Sequence, residues 1–199
     1  MLRHSLFVLL TALALLAPRQ GMAHPHVWVS AMVSFVFEEG KLVGLRQAWA
    51  FDDFFSATLI ADFDKDKNGT FDAAEQRELA TKAFAALRSS DYFSRVRQGV
   101  QSFPLQDAEN FSATQSKGLV FYGFTLRLAQ PLDPSASPVT AGIYDESFFV
   151  DFEFDANDPV RFEGLPSGAC SYAIREDPAD AIYRGLVVPP SVIIECKAS

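Results

Sequence analysis

Apolar and polar residues alternate along the segment from Val27 to Phe37. The odd-numbered positions are all Val, Ala or Phe, whereas most even-numbered positions are more polar or carry Trp and Met. A period of two places the odd positions on one face of a β-strand. A turn signal at Glu39-Gly40 and further apolar residues within 42–49 then predict a second strand. Residues 27–49 are therefore predicted to form a β-hairpin.

The spacing of apolar residues becomes helical after Asp52. Each of two segments places its apolar residues on one helical face: Phe55, Leu59, Ile60 and Phe63 in the first, and Leu79, Ala83, Phe84 and Leu87 in the second. Further strands are predicted where apolar residues alternate or aromatic residues cluster: 95–103, 118–128, 139–144, 148–154 and 192–194.

The loop between the two predicted helices, from Asp64 to Glu75, matches the EF-hand calcium loop. Oxygen ligands are expected at positions 1, 3, 5, 7, 9 and 12, and a glycine at the sharp turn in position 6, here Gly69. The six ligand positions are occupied by Asp64, Asp66, Asn68, Thr70 through its carbonyl, Asp72 and Glu75. We predict a calcium site; the alternative is a helix connection rich in Asp that does not bind. A single loop favours a structural role for calcium over signalling.

Residues 1–23 have the features of a secretory signal peptide: a basic start, a short apolar run and small residues before a cleavage site at Ala23. The alternative is an uncleaved interfacial anchor. Residues 24–199 are then predicted to form a single β-rich domain. Its fold class is α+β, a mainly antiparallel β domain with an EF-hand-like helix–loop–helix inserted after the first hairpin at about 52–90.

The chain carries a formal net charge of −8, and loss of residues 1–23 would make it about −10 because two arginines and no acid are removed. Phosphate binding needs clustered Lys and Arg, so this charge argues against a nucleic-acid partner and suits a cation binder. The only two cysteines are Cys170 and Cys196. In an exported chain they are predicted to form a disulfide, with a thiol metal pair as the alternative.

Cleavage after Ala23 would leave His24 as the new N-terminus, followed by Pro25 and His26. The α-amine and the two imidazoles then offer three nitrogen ligands to one metal ion. Pro25 has no amide hydrogen, so a chelate through its deprotonated backbone amide is excluded. The set suits copper(II) and also accepts nickel, cobalt or zinc. The alternative is that both histidines are simply polar residues at an exposed strand start.

Five segments carry a resemblance to a known family: His24–Val29, Trp49–Ser56, Asp91–Phe93, Tyr144–Phe149 and Gly168–Cys170. They are similar to the exported bacterial family called domain of unknown function 1007. Members of that family are often labelled periplasmic components of uncharacterised transport systems, and some accompany nickel/cobalt exporter-type permeases. The resemblance implies metal handling in the periplasm, with an inner-membrane metal permease as a partner. By motif position, it also makes Asp52, Asp53 and Asp145 candidates for a fourth ligand; the alternative is that each is a helix cap or turn residue.

Three functions are compatible with these features. The first is a periplasmic metal-binding accessory protein of a transition-metal transport system, with calcium bound in the EF-hand loop. The second is a non-catalytic binding module with structural calcium only, and the third is a copper oxidoreductase of histidine-brace type. We do not predict an enzyme or a catalytic residue, since the sequence lacks Gly-x-Ser-x-Gly and His-Glu-x-x-His motifs. No stable membrane anchor is predicted, because no later segment is long and apolar enough to span a bilayer.

Overall fold

The structure is a computed structural model that describes residues 25–197. The predicted signal peptide, its cleavage site and His24 lie outside these residues. The strands are β1 (Val27–Glu38), β2 (Lys41–Phe51), β3 (Ser94–Gln98), β4 (Gln101–Phe103), β5 (Leu105–Ser116), β6 (Leu119–Leu132), β7 (Val139–Ile143), β8 (Val150–Phe154), β9 (Val160–Glu163), β10 (Cys170–Glu176) and β11 (Pro190–Cys196). The helices are α1 (Asp53–Phe63) and α2 (Ala73–Lys82), with 3₁₀ segments at Phe84–Phe93, Pro178–Asp180 and Tyr183–Gly185.

The strands form two sheets. Four strands of the six-stranded sheet have the order β5-β6-β2-β1. The edge of β1 that does not face β2 pairs in parallel with β8 along its first half and with β9 further on. The five-stranded sheet has the order β10-β11-β7-β3-β4 and is antiparallel throughout. The mainly antiparallel α+β fold predicted from the sequence is confirmed at this level. No helix among the described residues has the length and apolar character needed to cross a membrane.

The first hairpin supplies about a third of the buried apolar core, and β1 buries the face that the alternation predicted. Every odd position of β1 from Val27 to Phe37 is buried. On β2, the ring of Trp49 packs edge-on against Phe124 at 4.8 Å and against Phe152 at 5.1 Å. Full burial of such side chains stabilises the fold by about 1.5–3 kcal/mol each. The hairpin therefore carries much of the apolar free energy of the domain.

Each helix begins at an aspartate whose side chain accepts hydrogen bonds from the first-turn N–H groups. Asp52 caps α1, and Asp72 caps α2 in a capping box with Glu75. The predicted continuation of the second helix through Leu87 is wrong, because α2 ends at Lys82 and a 3₁₀ segment follows. The chain turns there to place Phe84 in an aromatic cluster on the sheet, a tertiary effect that local spacing does not show.

Three consecutive residues at the end of that segment have left-handed backbone conformations. The φ angles of Asp91, Tyr92 and Phe93 are 50°, 50° and 55°. This conformation costs about 1–2 kcal/mol per L-residue. The compensation is aromatic burial, since Tyr92 stacks on Phe84 at 5.3 Å and Phe93 lies 6.3 Å from Trp49. The turn thus directs two consecutive aromatic rings into the interior.

The predicted disulfide between Cys170 and Cys196 is confirmed. The two residues are direct partners in the β10–β11 register, with Cα atoms 4.0 Å apart. The bond therefore fixes the last strand to the edge strand of the five-stranded sheet.

Candidate metal centre

The loop between α1 and α2 brings three carboxylates together. One oxygen from each of Asp64, Asp66 and Glu75 lies within 4.8 Å of the others. Asp64 and Glu75 are only 5% and 6% exposed, whereas Asp66 faces solvent. Within residues 25–197, no other set of three or more His, Cys, Asp or Glu side chains comes this close. Buried carboxylates in such a group repel one another, and a cation between them would remove that repulsion.

Asp64 is oriented by a residue from the sheet. The side-chain amide of Gln115 on β5 donates to Asp64 Oδ2 at 2.8 Å, and the backbone N–H groups of Asn68 and Gly69 donate at 3.1 Å. The Gln115 hydrogen bond, followed by the backbone ones, holds the pKa of Asp64 below its usual value against the opposing effect of burial. Asp64 therefore remains an anion at neutral pH, as a cation ligand must.

Glu75 closes the loop from its other end. Its Oε1 accepts from the Lys65 N–H at 2.6 Å, and its Oε2 accepts from the Asp72 N–H at 2.9 Å. These bonds tie the start of α2 to the start of the loop. Both carboxylate oxygens are thereby held inside the turn.

The other predicted calcium ligands are placed differently. The Asn68 side chain donates to Asp66 and accepts from Thr70, so these three residues form a small network at the exposed side of the loop. Asp72 accepts from Ala74 and Glu75 as the cap of α2, and it is not one of the three close carboxylates. The turn itself has the expected geometry, since Gly69 has φ of +82°.

The sequence did not reveal the residues that attach this loop to the sheet. Besides Gln115, Gln76 on α2 accepts from the Ala113 N–H of β5 at 3.4 Å and donates to the Phe71 carbonyl at 3.1 Å. No strand was predicted at β5, because its sequence is mostly polar and it lies at the sheet edge. A glutamine about 40 residues beyond the loop carries no local signal of this contact.

His26, the one described member of the predicted three-nitrogen set, lies exposed immediately before β1. Its N–H donates to the Phe149 carbonyl at 2.9 Å, and the two ring centroids are 4.8 Å apart. A shallow depression contains His26 together with Pro25, Trp28, Asp52, Asp53 and Phe54. The loop residue before β8 thus holds the backbone of His26, and two carboxylates line the same depression.

Two of the three candidate fourth ligands have local structural roles. Asp52 accepts from the N–H groups of Trp28, Phe54 and Phe55 at 2.8–3.0 Å. Asp145 accepts from a cluster of donors in the following turn: the N–H groups of Ser147, Phe149 and Val150 and the Ser147 hydroxyl. Asp53 is exposed in the first turn of α1 and lines the depression at His26.

An apolar cavity of about 380 Å³ lies behind this region. Its aromatic lining comes from several parts of the chain: Trp49, Phe51, Phe55, Phe93, Tyr122, Phe149 and Phe152. The Tyr144 N–H donates to the Phe93 carbonyl at 2.8 Å, which joins the left-handed turn to the loop that leads to Phe149. Four of the five sequence segments that carry the family resemblance therefore meet around this cavity.

Comparison with known proteins gives the same family. The family model described as "Protein of unknown function (DUF1007)" matches residues 9–185. An uncharacterized 15.5 kDa protein in the trpE 3' region of Spirochaeta aurantia is 32% identical over 141 residues, covering 71% of this chain and all of the relative. An uncharacterized protein of Haemophilus influenzae is 23% identical over 155 residues, covering 72% of this chain and 69% of the relative.

Proposed function

Because this chain belongs to the DUF1007 family, whose description gives no activity, we propose its function from its own residues. It is a periplasmic metal-binding accessory protein of a transition-metal transport system, with a calcium ion bound in the loop from Asp64 to Glu75. The observation that carries the calcium part of the proposal is the closeness of the three carboxylates in that loop.

The spacing of the carboxylates fits calcium. Calcium binds oxygen ligands at about 2.3–2.6 Å, so two ligands on opposite sides of one ion are about 4.6–5.2 Å apart. The oxygens of Asp64, Asp66 and Glu75, all within 4.8 Å of one another, can therefore surround one ion. The Thr70 carbonyl, Asn68, Asp72 through water, and solvent complete the six to eight ligands that calcium prefers.

Calcium in this loop would stabilise the fold rather than signal. The loop joins α1 to α2, and the side chains of Gln115 and Gln76 attach it to β5. An ion that neutralises the buried charges of Asp64 and Glu75 would fix the helices on the sheet. Affinity in the range of extracellular modules, about 10⁻⁴ to 10⁻³ M, is sufficient for this role.

The transition metal is the cargo, and its site is the N-terminus produced by cleavage after Ala23. The α-amine and imidazole of His24 and the imidazole of His26 supply three nitrogens, which suit copper(II) and also accept nickel, cobalt or zinc. The hydrogen-bonded backbone of His26 supports this proposal, because a ligand whose backbone is already held needs less ordering when metal binds. Asp53 is the candidate for the fourth ligand. The partner is an inner-membrane metal permease.

The cargo site is tested by titrating copper(II), nickel(II) or zinc into the protein whose first residue is His24. The matched control retains Ala23 in front of His24, which keeps both imidazoles but moves the α-amine away. We expect this form and the His24→Ala variant to bind at least about tenfold more weakly. Binding should also weaken below about pH 6, because protons compete for these nitrogens. Equal affinities for all three metals in all three proteins would contradict the proposal.

The apolar cavity favours a second candidate, a non-catalytic binding module with structural calcium only. Its volume of about 380 Å³ and its aromatic lining suit a small apolar ligand. Deletion of the gene in its own host distinguishes the two candidates. Altered accumulation of nickel, cobalt, copper or zinc supports the accessory role, and unchanged metal content supports the binding module.

A further inference from the structure

The outer face of the five-stranded sheet carries a second polar site, far along the chain from the calcium loop. In the strand register, Gly142 on β7 lies between Arg95 on β3 and Ser191 on β11. Pairing partners share a face of a sheet, and adjacent strands are about 4.8 Å apart. Arg95 and Ser191 therefore flank Gly142 on the face opposite the buried core residue Ala141.

Ser191 is the feature that needs explanation. It is only 3% exposed, yet the described part of the chain provides no hydrogen-bond partner for its hydroxyl. Leaving a buried hydroxyl unpaired is unfavourable, and such groups in folded proteins are normally satisfied by protein, water or ligand. The hydroxyl lines a cavity of about 370 Å³ that also contains Arg95, Arg97, Tyr144 and Asp180.

Gly142 provides the space for this arrangement. A Cβ atom at residue 142 would lie 2.9 Å from Cε1 of Tyr144 and 3.0 Å from Oγ of Ser191. The Arg95 guanidinium lies 5.8 Å from the centre of the Tyr144 ring. Burial, and after it the charge of Asp180, raises the pKa of Tyr144, so its hydroxyl remains a donor at neutral pH. Three donors of different kinds therefore surround one glycine.

The two arginines of the cavity differ in how firmly they are held. Arg97 donates to Asp180 at 2.9 Å and to Asp177 at 3.2 Å, so its charge is neutralised within the protein. Arg95 lies 3.7 Å from Asp91 and 3.5 Å from Glu146, whose side chains are 74% and 72% exposed. Exposed ion pairs of this kind are weak. Nη1 of Arg95 also donates to the carbonyls of Ser94 at 3.1 Å and Ser90 at 3.4 Å. Nη2, whose acceptor is the exposed Glu146 at 3.5 Å, can exchange this weak pair for a better acceptor.

We propose that this cavity binds a small organic monocarboxylate, with Arg95 as the charged partner of the carboxylate and Ser191 and Tyr144 as hydroxyl donors. A planar guanidinium matches a carboxylate in a two-point hydrogen bond. One loosely paired arginine balances one negative charge. A doubly charged phosphate is disfavoured because Asp91 and Asp180 also line the cavity. The proposal is independent of both metal sites.

The test is an NMR-monitored titration of the protein with acetate, lactate and benzoate, and with inorganic phosphate as the other anion. We expect at least one carboxylate to bind saturably at millimolar concentration and to shift the resonances of Gly142 and Ser191. Arg95→Gln should weaken that binding at least about tenfold, since hydrogen bonds to charged groups contribute this much. The matched control is Arg161→Gln on the other sheet, which removes the same charge and should leave the affinity unchanged.

Ser191→Ala distinguishes a ligand-binding hydroxyl from a structural one. Because the hydroxyl has no partner in the described chain, its removal should leave the melting temperature unchanged or raise it. The same change should weaken carboxylate binding several-fold. The proposal fails if no carboxylate binds, if phosphate binds more tightly than all three, or if Arg161→Gln weakens binding as much as Arg95→Gln. It also fails if Ser191→Ala lowers the melting temperature and leaves binding unchanged.

Discussion

The side-chain amide of Gln115 donates a hydrogen bond of 2.8 Å to Asp64, the first residue of the calcium-type loop. This contact joins an edge strand of the six-stranded sheet to a loop that lies 51 residues earlier in the chain. It orients a buried carboxylate and lowers its pKa. The proposed ion site is therefore assembled by the tertiary fold as well as by the local loop sequence.

Replacing Gln115 with Ala should loosen the loop without unfolding the protein. The change removes a hydrogen bond to a charged group, and a loss of this kind lowers the melting temperature of a domain this size by about 2–4 °C per kcal/mol. Differential scanning calorimetry in EDTA measures the effect. Gln106→Ala, an exposed position on the same strand, is the matched control and should have the wild-type melting temperature. Equal melting temperatures for both variants would show that the Gln115 contact does not stabilise the loop.

Calcium should raise the melting temperature through the loop carboxylates. A ligand at about 100 times its dissociation constant stabilises the folded state by about 2.7 kcal/mol, which corresponds to about 5–10 °C here. Glu75→Gln removes the charge and one of the two oxygens that accept from the Lys65 and Asp72 N–H groups, so the calcium shift should disappear. Scanning calorimetry with added calcium and with EDTA gives the comparison.

Glu78→Gln is the control for that experiment, because Glu78 lies on the same helix and pairs with Lys82 away from the cluster. It should retain the full calcium shift. Retention of the full shift by Glu75→Gln as well would mean that calcium stabilises the protein elsewhere.

Stability should fall in acid partly because of Asp133. Hydrogen bonds from Lys41, at 2.6 Å, and then from Ser135 hold the pKa of Asp133 well below its usual value. A carboxyl with a lowered folded-state pKa stabilises the protein above its unfolded-state pKa of about 3.9 and loses that contribution as the pH falls further. The free energy of unfolding, measured with urea between pH 6 and pH 2, should depend less on pH in Asp133→Asn than in the wild type. Lys41→Gln should reduce the pH dependence in the same direction; an unchanged slope in both variants would contradict the assignment.

Removing the disulfide should destabilise the end of the five-stranded sheet. Cys170 and Cys196 are 26 residues apart in sequence, and closing such a loop contributes about 3 kcal/mol in the chain-entropy model. The double variant Cys170→Ala, Cys196→Ala should therefore unfold at a lower urea concentration than the oxidised protein. The wild type after reduction should resemble the double variant. Hydrogen exchange should increase first in β10, and uniform loss of protection across both sheets would argue against a local effect.

The sequence predicted those parts of the fold in which a residue's structure is determined by the residues next to it in the sequence. The alternation from Val27 to Phe37 gave the buried face of β1 because a strand has a period of two. The loop from Asp64 to Glu75 depends on short spacings, and apolar spacing located both helices, although the second ends at Lys82 and does not continue through Leu87. Whether calcium occupies the loop stays a prediction.

Other parts depend on contacts between distant segments. Strand β5 was missed because its ladder shifts register twice and most of its side chains face solvent, so no alternation is visible. The left-handed turn at Asp91–Phe93 is set by the aromatic cluster that receives its rings. The hydroxyl of Ser191, which has no hydrogen-bond partner among residues 25–197, is placed by the register of three strands, and a single serine in a sequence gives no sign of it.

The position of β1 inside its sheet, between β2 and the later strands β8 and β9, has a consequence for how the chain reaches its folded state. Its parallel partners begin at Val150 and Val160, so one edge of the earliest strand has no neighbour until roughly 120 later residues have been synthesised. During that interval an apolar hairpin exposes an unpaired edge on which other chains can aggregate. A chaperone that holds the nascent chain would act in this interval.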